Sequence, residues 1–339
     1  MVSHRLKGRD LPAPKAPMTA ALDLLTSPAI LFFFVGVVAA LARSDLKLPE
    51  ATSKTLSLYL MLCIGFKGGV EARAAGLSAD LGLATLIGVG FSALAPIVAF
   101  VLLRRITRLD KPTLAALAAT YGSVSVVTFA AGQQHLIATG AEPGGYMAAV
   151  LAMMETPAIL TALLLLNAGK GAPSPAERGV ILREVFVNAA AIMLIGSFVV
   201  GLISGESGMV RLDLFVGPLF QGALCLFLLD LGLTAARRLM ADAGRLSPGV
   251  LGFAIGFPVA CAIAALTLAR LVGLGEGDAA LLAILCGSAS YIAVPAAMRL
   301  AAPEADEGVY VAASLAVTFP FNLVLGIPLY VGLAAWAWG

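Results

Sequence analysis

Residues 120–159, TYGSVSVVTFAAGQQHLIATGAEPGGYMAAVLAMMETPAI, are answered by residues 285–322, LCGSASYIAVPAAMRLAAPEADEGVYVAASLAVTFPFN. Gly122, Ser123 and Ser125 of the first align with Gly287, Ser288 and Ser290 of the second, and Tyr146 aligns with Tyr310 after one gap. The likeness extends upstream. LYLMLCIGFKGG echoes LCLFLLDLGLTA, with Gly65 set against Gly232, and Pro96 and Pro258 fall at similar places. One Gly-Ser-x-Ser match could be coincidence, but a match running over several apolar segments is an internal repeat.

Composition says what is repeated. Apolar residues make up 60% of the 339-residue chain and charged residues 12%; a soluble domain carries about 25% charged residues. The mean hydropathy of +0.97 is that of a chain solvated by lipid. Ten apolar segments can be marked, at 26–43, 55–74, 80–103, 112–138, 145–168, 184–203, 213–236, 248–271, 278–300 and 308–337. The length of most of them matches the roughly 20 residues that cross a bilayer as a helix. The expected fold is an all-α integral membrane protein of about ten transmembrane helices. Residues 1–25 form a polar, proline-containing tail expected to be disordered, with Met18 as a second candidate start. Residues 26–168 are the first repeat, 169–183 a Gly- and Pro-containing cytoplasmic linker, and 184–339 the second repeat. Five spans per copy force the copies into the membrane upside down relative to each other, the 5+5 inverted repeat of many secondary transporters, with a substrate site near the midplane. Lys and Arg are biased, fourteen against three, to the loops that are cytoplasmic when both termini lie outside; the positive-inside rule then orients the chain in the cell inner membrane.

The same composition excludes other classes. A net charge of +2 and no basic stripe argue against a nucleic-acid partner. Cys63, Cys225, Cys261 and Cys286 each lie in an apolar run and read as small buried side chains. No nucleophile, metalloprotease or phosphate-loop motif occurs, so no enzyme and no cofactor is expected.

The site candidates are the repeated motifs, Gly122, Ser123 and Ser125 with Gly287, Ser288 and Ser290. Each lies about ten residues into its span, the fourth and the ninth. Gly and Ser weaken a helix at that depth. A break exposes N–H groups at the start of the following half-helix, where anions bind, and serine hydroxyls can donate to an oxyanion or coordinate sodium. Pro295 would reinforce the second break. The alternative is that these small residues only let helices pack closely. Glu155, before Pro157, either serves sodium or a proton or is bonded to a helix break. Lys67 and Asp230 either form a structural ion pair or Lys67 snorkels to an interface. Arg299 marks the cytoplasmic end of its span, and His135 is expected in a loop.

These motifs resemble the sodium-dependent bicarbonate transporters of the cyanobacterial type and their wider permease superfamily. The likeness is carried by Leu48-Pro-Glu50, Ile64-Gly-x-x-Gly-Gly69, Tyr121-Gly-x-Val-Ser125, Glu155-Thr-Pro157 and Ser288-x-Ser-x-Ile-x-x-Pro295, ending in Arg299. It implies ten spans, with spans 1, 2, 6 and 7 as a gate and the rest as a core. It implies trimers, and bicarbonate with sodium as the coupling ion at the crossed breaks of spans 4 and 9. The family's serine positions fall on Ser125, Thr128, Ser288 and Ser290, and Thr128, Glu155 and Tyr291 are the sodium candidates. Tyr291 stands where the family has an acidic residue, and Ala293 and Val294 stand for a serine and a glycine. A small PII-like trimeric regulator is a further implied partner. Other readings consistent with the residues are a permease for another small organic anion and a transport-inactive sensor or scaffold.

Overall fold

The computed structural model describes residues 26–76, 78–167 and 189–339, which are all-helical. The tail at 1–25 and the linker at 169–183 lie outside the described residues. In chain order the helices are α1 (Pro28–Leu41), α2 (Glu50–Ala75), α3 (Ala79–Ile106), α4 (Lys111–Gly122), α5 (Val126–Thr139), α6 (Met147–Asn167), α7 (Ala189–Val216), α8 (Pro218–Asp242), α9 (Pro248–Leu271), α10 (Glu276–Cys286), α11 (Ala293–Ala301) and α12 (Glu307–Trp338). Seven of these units are long and apolar enough to cross a membrane: α3, α4 with α5, α6, α7, α8, α9 and α12. Large apolar side chains such as Leu86, Leu164, Val210 and Leu271 are more than two-thirds exposed. In water that surface would be a liability; facing lipid it is solvated. The chain is a multi-pass membrane protein.

The three other expected segments are helical but depart from a plain apolar span. α1 has 14 residues. α2 is long but carries Lys54, Lys67, Glu71 and Arg73. α10 and α11 are halves separated by a non-helical stretch.

Two sets of helices pack most extensively within themselves. In the first, α2 lies along α7 and α1 along α8. Glycine permits both crossings. A Cβ on Gly36 would overlap the Leu229 carbonyl oxygen, and one on Gly232 that of Phe33. At the other crossing, Gly69 lies against the Phe198 carbonyl and Gly201 against that of Phe66. Such backbone-to-backbone approach is how membrane helices gain dispersion contacts without a hydrophobic drive between them. In the second set, α3 packs on α4 and α6, while α9 and α12 pack on α10.

Two expectations are corrected here. The segments expected at 184–203 and 213–236 leave a loop between them, but α7 continues through Arg211 to Val216 and only Gly217 separates α7 from α8. The helix bends instead at Gly205, whose φ of 59° is open to glycine. Arg73 donates to the Leu202 carbonyl at 3.3 Å and to that of Ile203, stabilising the carbonyls freed at the bend. His135 lies in helix α5 and is buried, not in a loop.

α12 contains π turns at Ala312–Thr318 and Asn322–Gly326. Pro320 and Pro328 remove N–H donors near them, and the ladder there shifts register.

Candidate functional site

The two repeated motifs are the two helix breaks, and they touch. α4 ends at Gly122, residues 123–125 are extended, and α5 begins at Val126. Ser125 is the N-cap of α5, and its Oγ accepts the Thr128 N–H at 3.1 Å. A serine three residues before a threonine, after glycine, is a local stop-and-restart signal. The second break is longer, from Gly287 to Ile292. There Ser290 Oγ accepts the Val294 N–H at 3.3 Å, and Asn322 of α12 donates to the Gly287 carbonyl at 2.8 Å.

The breaks cross and bond reciprocally. The Ser125 N–H donates to Ser288 Oγ at 3.0 Å, and the Ser290 N–H donates to the Thr120 carbonyl at 2.8 Å. Ser288 in turn donates to the Leu285 carbonyl at 2.8 Å. Ser123, Ser125, Thr128, Ser288 and Ser290 are each 3% exposed or less. Gly122 packs against Pro96 of α3, and Gly287 against the Pro258 carbonyl of α9. Close approach therefore requires glycine at 122, and leaves little room for a side chain at 287.

Of the sodium candidates, Thr128 and Tyr291 converge on Ser125. The Thr128 hydroxyl donates to Ser125 Oγ at 2.9 Å, and Ser125 Oγ donates to the Tyr291 hydroxyl at 3.0 Å. Glu155 meets this cluster through its backbone, whose carbonyl accepts Ser123 Oγ at 3.4 Å. Its side chain is 2% exposed, and its Oε2 has no hydrogen-bond partner. The helix opens beside it because Pro157 lacks an N–H. Ser92 of α3 enters the ladder there, donating to the Met154 carbonyl at 2.5 Å and accepting the Ala158 N–H at 3.2 Å.

The Lys67–Asp230 pair does not form. The Lys67 ammonium lies 5.2 Å from the centre of the Phe220 ring, while Asp230 lies near Ser53 and Arg237. The two side chains, placed in related spans, are carried to different neighbours by the helix crossings. Arg299, in the last turn of α11, binds Glu307 at 2.7 and 3.0 Å.

A crevice of about 590 Å³ leads to the breaks. One wall comes from α2 and α8, through Met61, Phe227 and Leu231, and the other from α11 and α12, through Ala293, Ala296 and Leu315. Lys54, Arg238, Arg299 and Glu307 line it, and so does Tyr291 of the second break. Sequence reasoning missed Asn322 and Thr120 as partners of the breaks, and Ser92 as the partner of the α6 ladder beside Pro157. Asn322 was visible as a polar residue in an apolar run beside a proline. Thr120 acts through its backbone carbonyl, which no side-chain motif reveals.

No curated protein matches the chain in a sequence comparison. A family profile, that of the Na+-dependent bicarbonate transporter superfamily, matches residues 28–335. That stretch takes in both breaks, the crevice and both sets of helices, so the chain belongs to the Na+-dependent bicarbonate transporter superfamily.

Proposed function

We propose that the chain is a sodium-coupled importer of a small anion, with bicarbonate the leading substrate, working by alternating access of two inverted five-span repeats. The observation that carries this reading is the reciprocal crossing of the two breaks beneath an open crevice. Each break starts a half-helix whose N-terminus favours negative charge, and each supplies hydroxyls.

Paired contacts support the inverted repeat. Near the start of α10, Asp278 accepts the Gly144 N–H at 2.6 Å and the Tyr146 hydroxyl at 2.5 Å, pinning the loop before α6. Near the start of α4, Thr113 accepts the Asp306 N–H at 2.9 Å, pinning the loop before α12. Pro96 and Pro258, and the glycine crossings of α2 with α7 and of α8 with α1, match in the same way.

In this mechanism α1, α2, α7 and α8 form the gate, and the remaining helices move against them as the core. The crevice opens at the end carrying Lys54 and Arg238, which the charge bias assigns to the cytoplasm with both termini outside. Sodium enters with the anion, with Thr128 and Glu155 as its candidate ligands, so that neither ion is dehydrated alone. Each net charge moved adds about 2.3 kcal/mol per 100 mV of membrane potential. Trimeric assembly and a PII-like regulatory partner belong to the same reading and rest on the family resemblance.

Uptake of labelled bicarbonate into proteoliposomes, with and without an inward sodium gradient, tests the proposal. Sodium-stimulated uptake is expected, with loss of about tenfold or more in the Ser125→Ala, Ser290→Ala variant: Ser290 loses a hydroxyl that can meet the ion, worth about 1.5–3 kcal/mol, and Ser125 loses the bonds that cap α5 and hold Tyr291. Absent uptake by folded protein rules out bicarbonate. The crevice also has room for a larger organic anion, the second reading, which competition by organic carboxylates would reveal.

A further inference from the structure

We infer that Tyr291 is the anion-contacting donor at the floor of the crevice, a specificity-determining residue and not a sodium ligand. The inference rests on the proposed anion transport and assigns one contact within it. Its basis is the direction of three hydrogen bonds. A serine hydroxyl has two lone pairs and one proton. Ser125 Oγ receives the Thr128 N–H at 3.1 Å and the Thr128 hydroxyl at 2.9 Å, which fill both lone pairs. Its proton therefore goes to the Tyr291 oxygen, 3.0 Å away. The phenolic proton is not consumed by Ser125.

Tyr291 is one of the residues that line the crevice, and its phenolic proton is the one assigned to the anion there. Donation from Ser125 also polarises the phenol and makes it a better donor. Tyr291 is 7% exposed, and its ring rests against Phe319 of α12 at 5.1 Å between centroids. The hydroxyl is therefore aimed by packing. Ile292 and Ala293, at the start of α11, line the crevice beside it. A phenol donor next to a helix N-terminus favours an oxyanion and disfavours a cation.

The first test measures the melting midpoint of the purified protein against sodium bicarbonate, with sodium chloride at matched sodium as reference. The wild type is expected to be stabilised by bicarbonate. Tyr291→Phe keeps the ring and loses the donor, and its apparent affinity is expected to fall about tenfold or more. An unchanged affinity in Tyr291→Phe would overturn the assignment and leave anion transport standing. A wild type that does not respond would overturn the assignment and the transport reading together. The second test needs no loss of the hydroxyl. With 3-fluorotyrosine placed at 291, the fluorine resonance should move on addition of bicarbonate and not of chloride. A resonance that both salts leave in place would overturn the assignment.

Discussion

Among the described residues, Glu155 carries the one buried side-chain polar atom without a hydrogen-bond partner. It is buried with one carboxylate oxygen unpartnered, and a bare charge in such a place is expensive. A proton or a cation must accompany it. Glu155→Gln removes the need for either. The variant should therefore melt no lower than the wild type, while sodium stimulation of uptake falls about tenfold, the scale of a lost charged hydrogen-bonding group. A normal sodium response in that variant would remove Glu155 from the coupling site. The residue was visible in sequence as a lone carboxylate before a proline. That it would face no counter-charge was not, because its neighbours come from helices distant in the chain.

At the scale of elements, glycine decides which helices may cross. Gly232→Ala places a methyl group against the Phe33 carbonyl, and the helices must separate. Overpacking of this kind costs about 1–3 kcal/mol, so the melting temperature should drop. Gly82 in α3 is the control. Nothing lies within 4 Å of a Cβ there, and Gly82→Ala should stabilise by about 0.5–1 kcal/mol through helix propensity. If both variants melt alike, the crossing is not a tight contact. Both breaks were legible as Gly-Ser-x-Ser, since the local chemistry of capping and weak helix propensity is enough to mark them. The π turns of α12 were not. Thr318, which ends the first of them, bonds the Ala254 carbonyl at 2.6 Å and the Tyr121 hydroxyl at 2.6 Å, two partners from other helices.

Across the whole molecule, a charge network joins the two sets of helices at the crevice mouth. Arg245, in the turn that follows α8, binds Asp306 before α12 at 2.8 Å, and Arg238 reaches Glu307 at 3.4 Å. Asp242 holds both arginines, at 3.8 and 3.4 Å. In the proposed mechanism, motion of core against gate stretches these contacts. An exposed pair contributes about 0.2–1 kcal/mol, so Arg245→Gln with Asp306→Asn should speed uptake by up to about fivefold and weaken its dependence on ionic strength. An unchanged rate and salt profile would show that the network does not resist the motion.

Membrane insertion, the approximate spans and the two breaks were all written in the sequence, because each follows from local composition. Tertiary structure decided what meets at the breaks. It crossed Ser125 with Ser288 and Ser290 with Thr120, sent Lys67 to Phe220 and away from Asp230, and set Tyr291 between Ser125 and the crevice. Those pairings depend on the angle at which half-helices pack, and that angle is set jointly by glycines and prolines on helices far apart in the chain.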